Sequence, residues 1–162
     1  MNIFTFNIFT AILALLSLGA SVVLLIARPF LKERLGSETS TAAVWLAAIV
    51  AIFSTVGSLI YSEFWGFEPC RYCWFQRIAM YPLALVLLIS GLRTDGMARR
   101  YGIPLAAIGL PISIYHYWQQ TSPPADGGSC GVVSCISKYV NTFDFISIPF
   151  MAGCGFLLVL VL

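Results

Sequence analysis

An all-α membrane protein with five spanning helices is the fold that the sequence predicts, on three observations. The composition is 59% hydrophobic and only 10% charged, which leaves too little polar surface to coat a water-soluble core. Five apolar stretches recur along the chain, each close to the roughly 20 residues that cross a bilayer as a helix. Lys and Arg gather in alternate connections between them. The net charge of +2 is too small, and its basic residues too dispersed, for a nucleic-acid footprint, so no nucleic-acid partner is expected.

The first stretch, Ile8 to Ala27, is twenty uncharged residues, about 30 Å as a helix. No Lys or Arg precedes it, and Leu24-Leu25-Ile26-Ala27 before Arg28-Pro29 is a poor small-residue cleavage site. It is therefore expected to be retained rather than removed as a signal peptide. Arg28, Lys32 and Arg34 occupy the connection that ends in Gly36-Ser37-Glu38-Thr39-Ser40, where a hydroxyl can cap the next helix. Ala42 to Ser62 is the second span, with Gly57 and other small residues that permit close helix approach. The third, roughly Phe75 to Leu92, contains Arg77 near its start, and Arg93, Arg99 and Arg100 make the following connection basic. Tyr101 to Trp118 is the fourth span; Pro104 and Pro111 predict kinks, and Tyr115-His116-Tyr117-Trp118 is an aromatic cluster suited to the headgroup level.

Gln119 to Thr142 is the longest polar connection. In its second half Val132, Val133, Ile136, Tyr139, Val140 and Phe143 recur at helical spacing, which predicts a short interfacial helix carrying Cys135 over the bilayer edge. Phe145 to Leu162 is the fifth span, with Pro149 near its start, and the sequence stops inside apolar residues, so a polar tail beyond Leu162 is expected in the natural chain. Six basic residues fall in the first and third connections, whereas only Arg71, Arg77 and Lys138 lie near the second and fourth. The positive-inside rule then puts the cysteine-bearing connections, and with five spans the N-terminus, outside.

Of five cysteines, Cys70, Cys73, Cys130 and Cys135 fall in connections or at helix ends, and Cys154 sits in an apolar run as a small filler. Four paired and one odd is the simplest count. Cys70 and Cys73 form a C-x-x-C where a polar turn enters the third span. A helix beginning near Cys70 favours thiolate at its positive end, and Arg77 lies one turn beyond Cys73 on the same face. A static disulfide or half of a zinc site are the plainer readings of this spacing, and a structural staple is the plainer reading of Cys130 and Cys135. Arg77 as a snorkelling interfacial cation and His116 as an interface residue are likewise the plainer alternatives to ligand contacts. Two pairs in one oxidising compartment, one at a membrane mouth and one on a Gly-rich loop, point instead to an electron relay by thiol–disulfide exchange. A quinone headgroup at that mouth would need a cation or hydrogen-bond donors, which Arg77 and Gln76 offer.

Pro69-Cys70-Arg71-Tyr72-Cys73-Trp74-Phe75-Gln76-Arg77-Ile78-Ala79-Met80-Tyr81-Pro82 resembles the first active-site motif of the DsbB/BdbC disulfide-bond formation proteins. The likeness extends to Tyr115-His116-Tyr117, to Cys130 and Cys135, to Tyr139 and to Phe145-Ile146-Ser147-Ile148-Pro149-Phe150. It covers roughly Ala42 to the end. The resemblance implies a four-helix transmembrane bundle over 42–162, with 1–41 an additional N-terminal transmembrane helix and basic cytoplasmic loop. It implies a thiol oxidase of the bacterial cytoplasmic membrane that reoxidises a DsbA-like thioredoxin-fold partner and passes electrons to quinone, ubiquinone or menaquinone. In that scheme Cys70 and Cys73 are the quinone-linked disulfide, with Cys73 nearer the quinone. Arg77 is the polar anchor; from the chemistry of the residues themselves, Gln76 and His116 are expected as further quinone contacts, and no metal is expected. Cys130 and Cys135 are the shuttle disulfide, with Cys130 attacked by the partner. The four-residue spacing of that pair matches shorter BdbC-like members and leaves little room for a large loop rearrangement. A vitamin K epoxide reductase-like protein is the nearest rival, but there the loop pair precedes the C-x-x-C. A non-catalytic scaffold with two stabilising disulfides is the rival from another class.

Overall fold

The computed structural model describes residues 2–31, 37–93, 96–122 and 133–162. They contain the helices α1 (Ile3–Leu31), α2 (Ser37–Leu59), α3 (Arg71–Arg93), α4 (Ile103–Thr121) and α5 (Ile148–Val161). A π-helical turn, Ile60–Phe64, extends α2, and another, Ala98–Gly102, leads into α4. Among the described residues three segments are long and apolar enough to cross a membrane: Ile3–Ala27, Thr41–Phe64 and Arg71–Arg93. α5 is apolar throughout but has 14 residues, about 21 Å.

α2, α3, α4 and α5 close into a ring by packing each on the next, and α1 lies outside it along α5. The interior of the ring is built from small residues and a few large ones. Ala47, Ala48 and Ala51 of α2 meet Ala79, Leu83 and Leu87 of α3, with Ala106 of α4 and Phe156 of α5 fully buried beside them. Large apolar side chains such as Val23, Ile78, Leu85, Ile108 and Ile114 point outward. This inverted distribution is what lipid requires: tails are as apolar as Leu, so helices associate through close van der Waals fit rather than by hiding Leu from water. Gly109 shows the fit most clearly, since a Cβ there would overlap the Phe156 ring. Several hydroxyls inside the helices bond the backbone one turn back, as where Ser21 Oγ donates to the Ser17 carbonyl at 2.7 Å.

The interfacial helix expected over Val132 to Phe143 is not formed across 133–147; Val132 itself lies outside the described residues. This stretch turns repeatedly, with Thr142 and Ile146 exchanging both backbone hydrogen bonds at 3.0 and 2.9 Å. Phe143 and Asp144 between them have φ of 54° and 64°, a left-handed pair that no α-helix accommodates. Cys135, Val140 and Ile146 are buried over the helix ends, whereas Tyr139 and Phe143 of the expected stripe are exposed, so the stripe is split between inward and outward positions. The same turn delays α5 to Ile148. At the other boundary α3 starts at Arg71, ahead of the expected Phe75, because Cys70 rather than Trp74 provides the first helical carbonyl: Trp74 N–H donates to Cys70 O at 3.0 Å.

Candidate redox site

The chain reaches the C-x-x-C through a tight reversal. Gly66 has φ of +66°, where a side chain would be strained, and Phe67 N–H returns to Tyr61 O at 3.0 Å. Phe67 is thereby stacked between Tyr61 and Tyr139, with ring centroids at 5.8 and 4.8 Å. This column joins the end of α2, the approach to Cys70 and the 133–147 segment. Cys70 then stands at the N-terminal cap position of α3 and Cys73 in its first turn, so both sulfurs sit at the positive end of the helix.

Cys70 and Cys73 are free thiols with sulfurs 3.4 Å apart. His116 of α4, almost wholly buried, places Nε2 3.5 Å from Cys70 Sγ and 3.2 Å from the Cys135 carbonyl. A carbonyl can only accept, so Nε2 carries the hydrogen and reaches both atoms. The Cys70 thiol, which precedes the membrane-length part of α3, is held far below the ordinary thiol value, to about 4. Its hydrogen bond with Cys73 lowers it most, burial opposes, and the bond to His116 lowers it further. The sulfur and nitrogen atoms of Cys70, Cys73 and His116 lie within 4.8 Å of one another. They make three donors, one fewer than a closed zinc site uses.

Three side chains from the last turns of α4 hold the segment that bears Cys135. Besides His116, Tyr117 Oη donates to Phe145 O at 3.0 Å and Gln120 Nε2 to Ser137 O at 3.3 Å. Cys135 is disulfide-bonded; Cys130, the other expected member of the loop pair, lies outside the described residues.

On the far side of Cys73 a cavity of about 310 Å³ opens between α1, α2, α3 and α5. Cys73, Gln76 and Arg77 line its end nearest the cysteines, and apolar side chains such as Phe53, Met80 and Phe156 line much of the rest. Gln76 is 5% exposed, and its amide Nε2 has no hydrogen-bond partner among the described residues. Arg77 is fixed from across the cavity by Ser58, with Nε donating to Ser58 Oγ and Nη2 to Ser58 O, each at 3.0 Å, while its guanidinium lies over the Trp74 ring at 5.5 Å. His116 does not line this cavity. It borders a small recess shared by Cys70, Cys73, Gln120 and Tyr139. Cys73 is thus the one sulfur that lines both spaces. Sequence reasoning missed Ser58, Phe67 and Gln120; a hydroxyl inside an apolar span was the available signal for Ser58.

A helical bundle with apolar outer flanks, a dithiol at a helix mouth and a bonded cysteine held beside it defines a membrane thiol–disulfide redox protein. The chain belongs to the DsbB family of disulfide bond formation proteins, whose family profile, described as Disulfide bond formation protein DsbB, matches residues 40–161. It is 43% identical over 126 residues to a probable disulfide formation protein C 1 of Bacillus cereus, covering 76% of this chain and 88% of that one. It is 42% identical over 125 residues to the disulfide bond formation protein C of Bacillus subtilis, covering 74% and 86%. A probable disulfide formation protein of Oceanobacillus iheyensis is 43% identical over 129 residues, covering 78% and 87%. No solved structure matches the chain significantly.

Proposed function

We propose that this chain is a five-span thiol oxidase of the bacterial cytoplasmic membrane that reoxidises an extracytoplasmic DsbA-like partner and passes the electrons to membrane quinone. The observation that carries the reading is the double exposure of Cys73, which borders both the recess shared with Cys70, His116 and Ser134 and the apolar cavity. The N-terminal end of α1 meets Tyr61 and Trp65 at the cysteine end of the bundle, and Arg93, Arg99 and Arg100 lie at the other. That polarity agrees with cysteines and N-terminus outside and basic residues inside.

The partner's thiolate attacks the shuttle disulfide at Cys130, freeing the Cys135 thiolate. Cys135 then attacks Cys70, whose neighbour His116 also reaches the Cys135 carbonyl, and Cys73 leaves as the thiol or thiolate facing the cavity. The partner's second thiolate closes the partner's own disulfide and so releases Cys130 as a thiolate, which attacks Cys135, restores the shuttle disulfide and leaves Cys70 and Cys73 reduced, as they stand in this structure. Stabilising the Cys70 thiolate favours the reduced pair and so makes its disulfide a stronger oxidant of the shuttle pair. Gln76 Nε2, a buried donor without a partner among the described residues, and the Arg77 cation suit the carbonyl oxygens of a quinone headgroup. A quinone bound there would supply a two-electron, two-proton sink; closing the disulfide from the Cys70 thiolate and the Cys73 thiol releases two electrons and one proton, and the second proton comes from water.

The test is quinone reduction by detergent-purified protein supplied with a reduced DsbA-like partner, with ubiquinone and menaquinone compared. Wild type is expected to turn over one of them and Cys73→Ser neither. Reduction at the normal rate by Cys73→Ser would refute the scheme.

A further inference from the structure

The helix outside the family match, α1, supplies a wall of the cavity. Phe9, Thr10, Leu13, Ala14 and Ser17 line it, at i, i+1, i+4, i+5 and i+8, so a single face of α1 is involved. That face descends about 12 Å from its outer end. Facing it, α2 presents Ile49, Val50 and Phe53 at the deep end and Gly57, Ser58 and Tyr61 near the cysteines. α1 packs along α5, and its tie to the α2 side is polar: Tyr61 Oη donates to Asn7 Oδ1 at 2.9 Å and shares a hydrogen bond with Thr10 Oγ1 at 2.8 Å. Phe6 packs against Tyr61 and Trp65, with centroids at 5.1 and 4.7 Å. The outer end of α1 is therefore pinned, while deeper down α1 and α2 face each other across open space.

We infer that α1 is the tail-binding wall of the quinone site: the isoprenoid chain of the lipid quinone runs between α1 and α2, against Phe9, Leu13 and Phe53. This rests on the proposed function. The occupant follows from continuity. One cavity runs from the donors Gln76 and Arg77 at the cysteine end into a slot with apolar sides, which matches a molecule with one polar head and one long apolar tail. A four-helix bundle lacking α1 would leave that side of the slot to lipid; here it is walled by protein, so the tail contributes to selection as well as the head.

The test uses the full chain and two benzoquinones with the same headgroup, one without a tail and one with an alkyl tail, titrated calorimetrically. Leu13→Trp, which fills the slot from α1, is expected to weaken the tailed quinone about tenfold and to change the tailless one less than about twofold. Leu16→Trp, at a lipid-facing position 64% exposed on the same helix, is expected to change neither. A quinone with a photoreactive group on its tail is expected to label the peptide containing Phe9 to Ser17. Labelling confined to α2 and α5, or a Leu13→Trp variant with both affinities unchanged, overturns the inference; the slot then belongs to a lipid acyl chain or to nothing. Equal weakening of both quinones by Leu13→Trp also overturns it, because that is the mark of a disturbed fold. If wild type binds neither quinone, the proposed function itself fails; if it binds both and only the α1 results are negative, that function stands and this inference alone falls.

Discussion

Replacing His116 by Phe keeps a ring in the packed space beside Tyr72 and removes the N–H that reaches Cys70 Sγ at 3.5 Å. A hydrogen bond to a charged acceptor contributes about 1.5–3 kcal/mol, and each pK unit corresponds to about 1.36 kcal/mol. The Cys70 titration midpoint, about 4 in the intact site, is therefore expected to rise by roughly one to two units. It stays below the ordinary thiol value of about 8.5, because the Cys73 hydrogen bond, the larger influence, remains. The assay is the pH dependence of Cys70 alkylation by iodoacetamide in the reduced protein, resolved by peptide mass spectrometry so that Cys73 and Cys154 are scored separately. An unchanged midpoint in His116→Phe would refute the assignment of His116 as a thiolate partner, and a wild-type midpoint in the ordinary range would refute the stabilised thiolate altogether.

The same titration makes the stability of the reduced protein depend on pH. Cys70 has its pKa depressed by folding, so its contribution is complete above the unfolded value of about 8.5 and is lost as pH falls towards about 4; the melting temperature of the reduced form, measured against that of the oxidised form, is expected to drop across that window. Gly109→Ala drives a methyl into the Phe156 ring, an overpacking cost of about 1–3 kcal/mol set against a gain in helix propensity of up to about 1 kcal/mol, and thermal unfolding in detergent is expected to show net destabilisation. Ser58→Ala removes one of two anchors of the Arg77 guanidinium; the KM for quinone is expected to rise by about threefold to tenfold with kcat little changed, and Arg77→Leu to raise it further.

Length and hydropathy made the helices legible, since a run such as Ile8 to Ala27 admits few alternatives in lipid. The C-x-x-C, with Gln76 and Arg77 one turn on, was equally legible, because a helix maps that spacing directly onto one face. The 133–147 segment was not. Its apolar residues satisfy a helical period, but periodicity reports which residues are to be covered and not by what. Here the cover is the end of α4, and the left-handed Phe143 and Asp144 have no signature that outweighs the pattern. His116 was legible as a candidate but its neighbour was not: sequence put it at the aqueous end of a helix, and only the packing of α4 on α3 sets it against Cys70. That α1 lines the cavity depended on a gap between α1 and α2, consecutive helices whose facing residues, such as Phe9 and Phe53, are set opposite each other only by packing, which no local pattern encodes.

The side-by-side placement of the two thiols has a consequence for leakage. Cys70 borders only the recess under the polar loop, and Cys73 also borders the apolar cavity, with 3.4 Å between sulfurs. In the proposed relay a small water-soluble thiol that reaches Cys70 is still outside the space assigned to the lipid carrier, and among the described residues Cys73 is the sulfur that the two spaces share. The first turn of α3 in the proposed relay is in this sense a partition one disulfide thick, with electron pairs passing between water and lipid while the molecules that bring and remove them stay on their own sides.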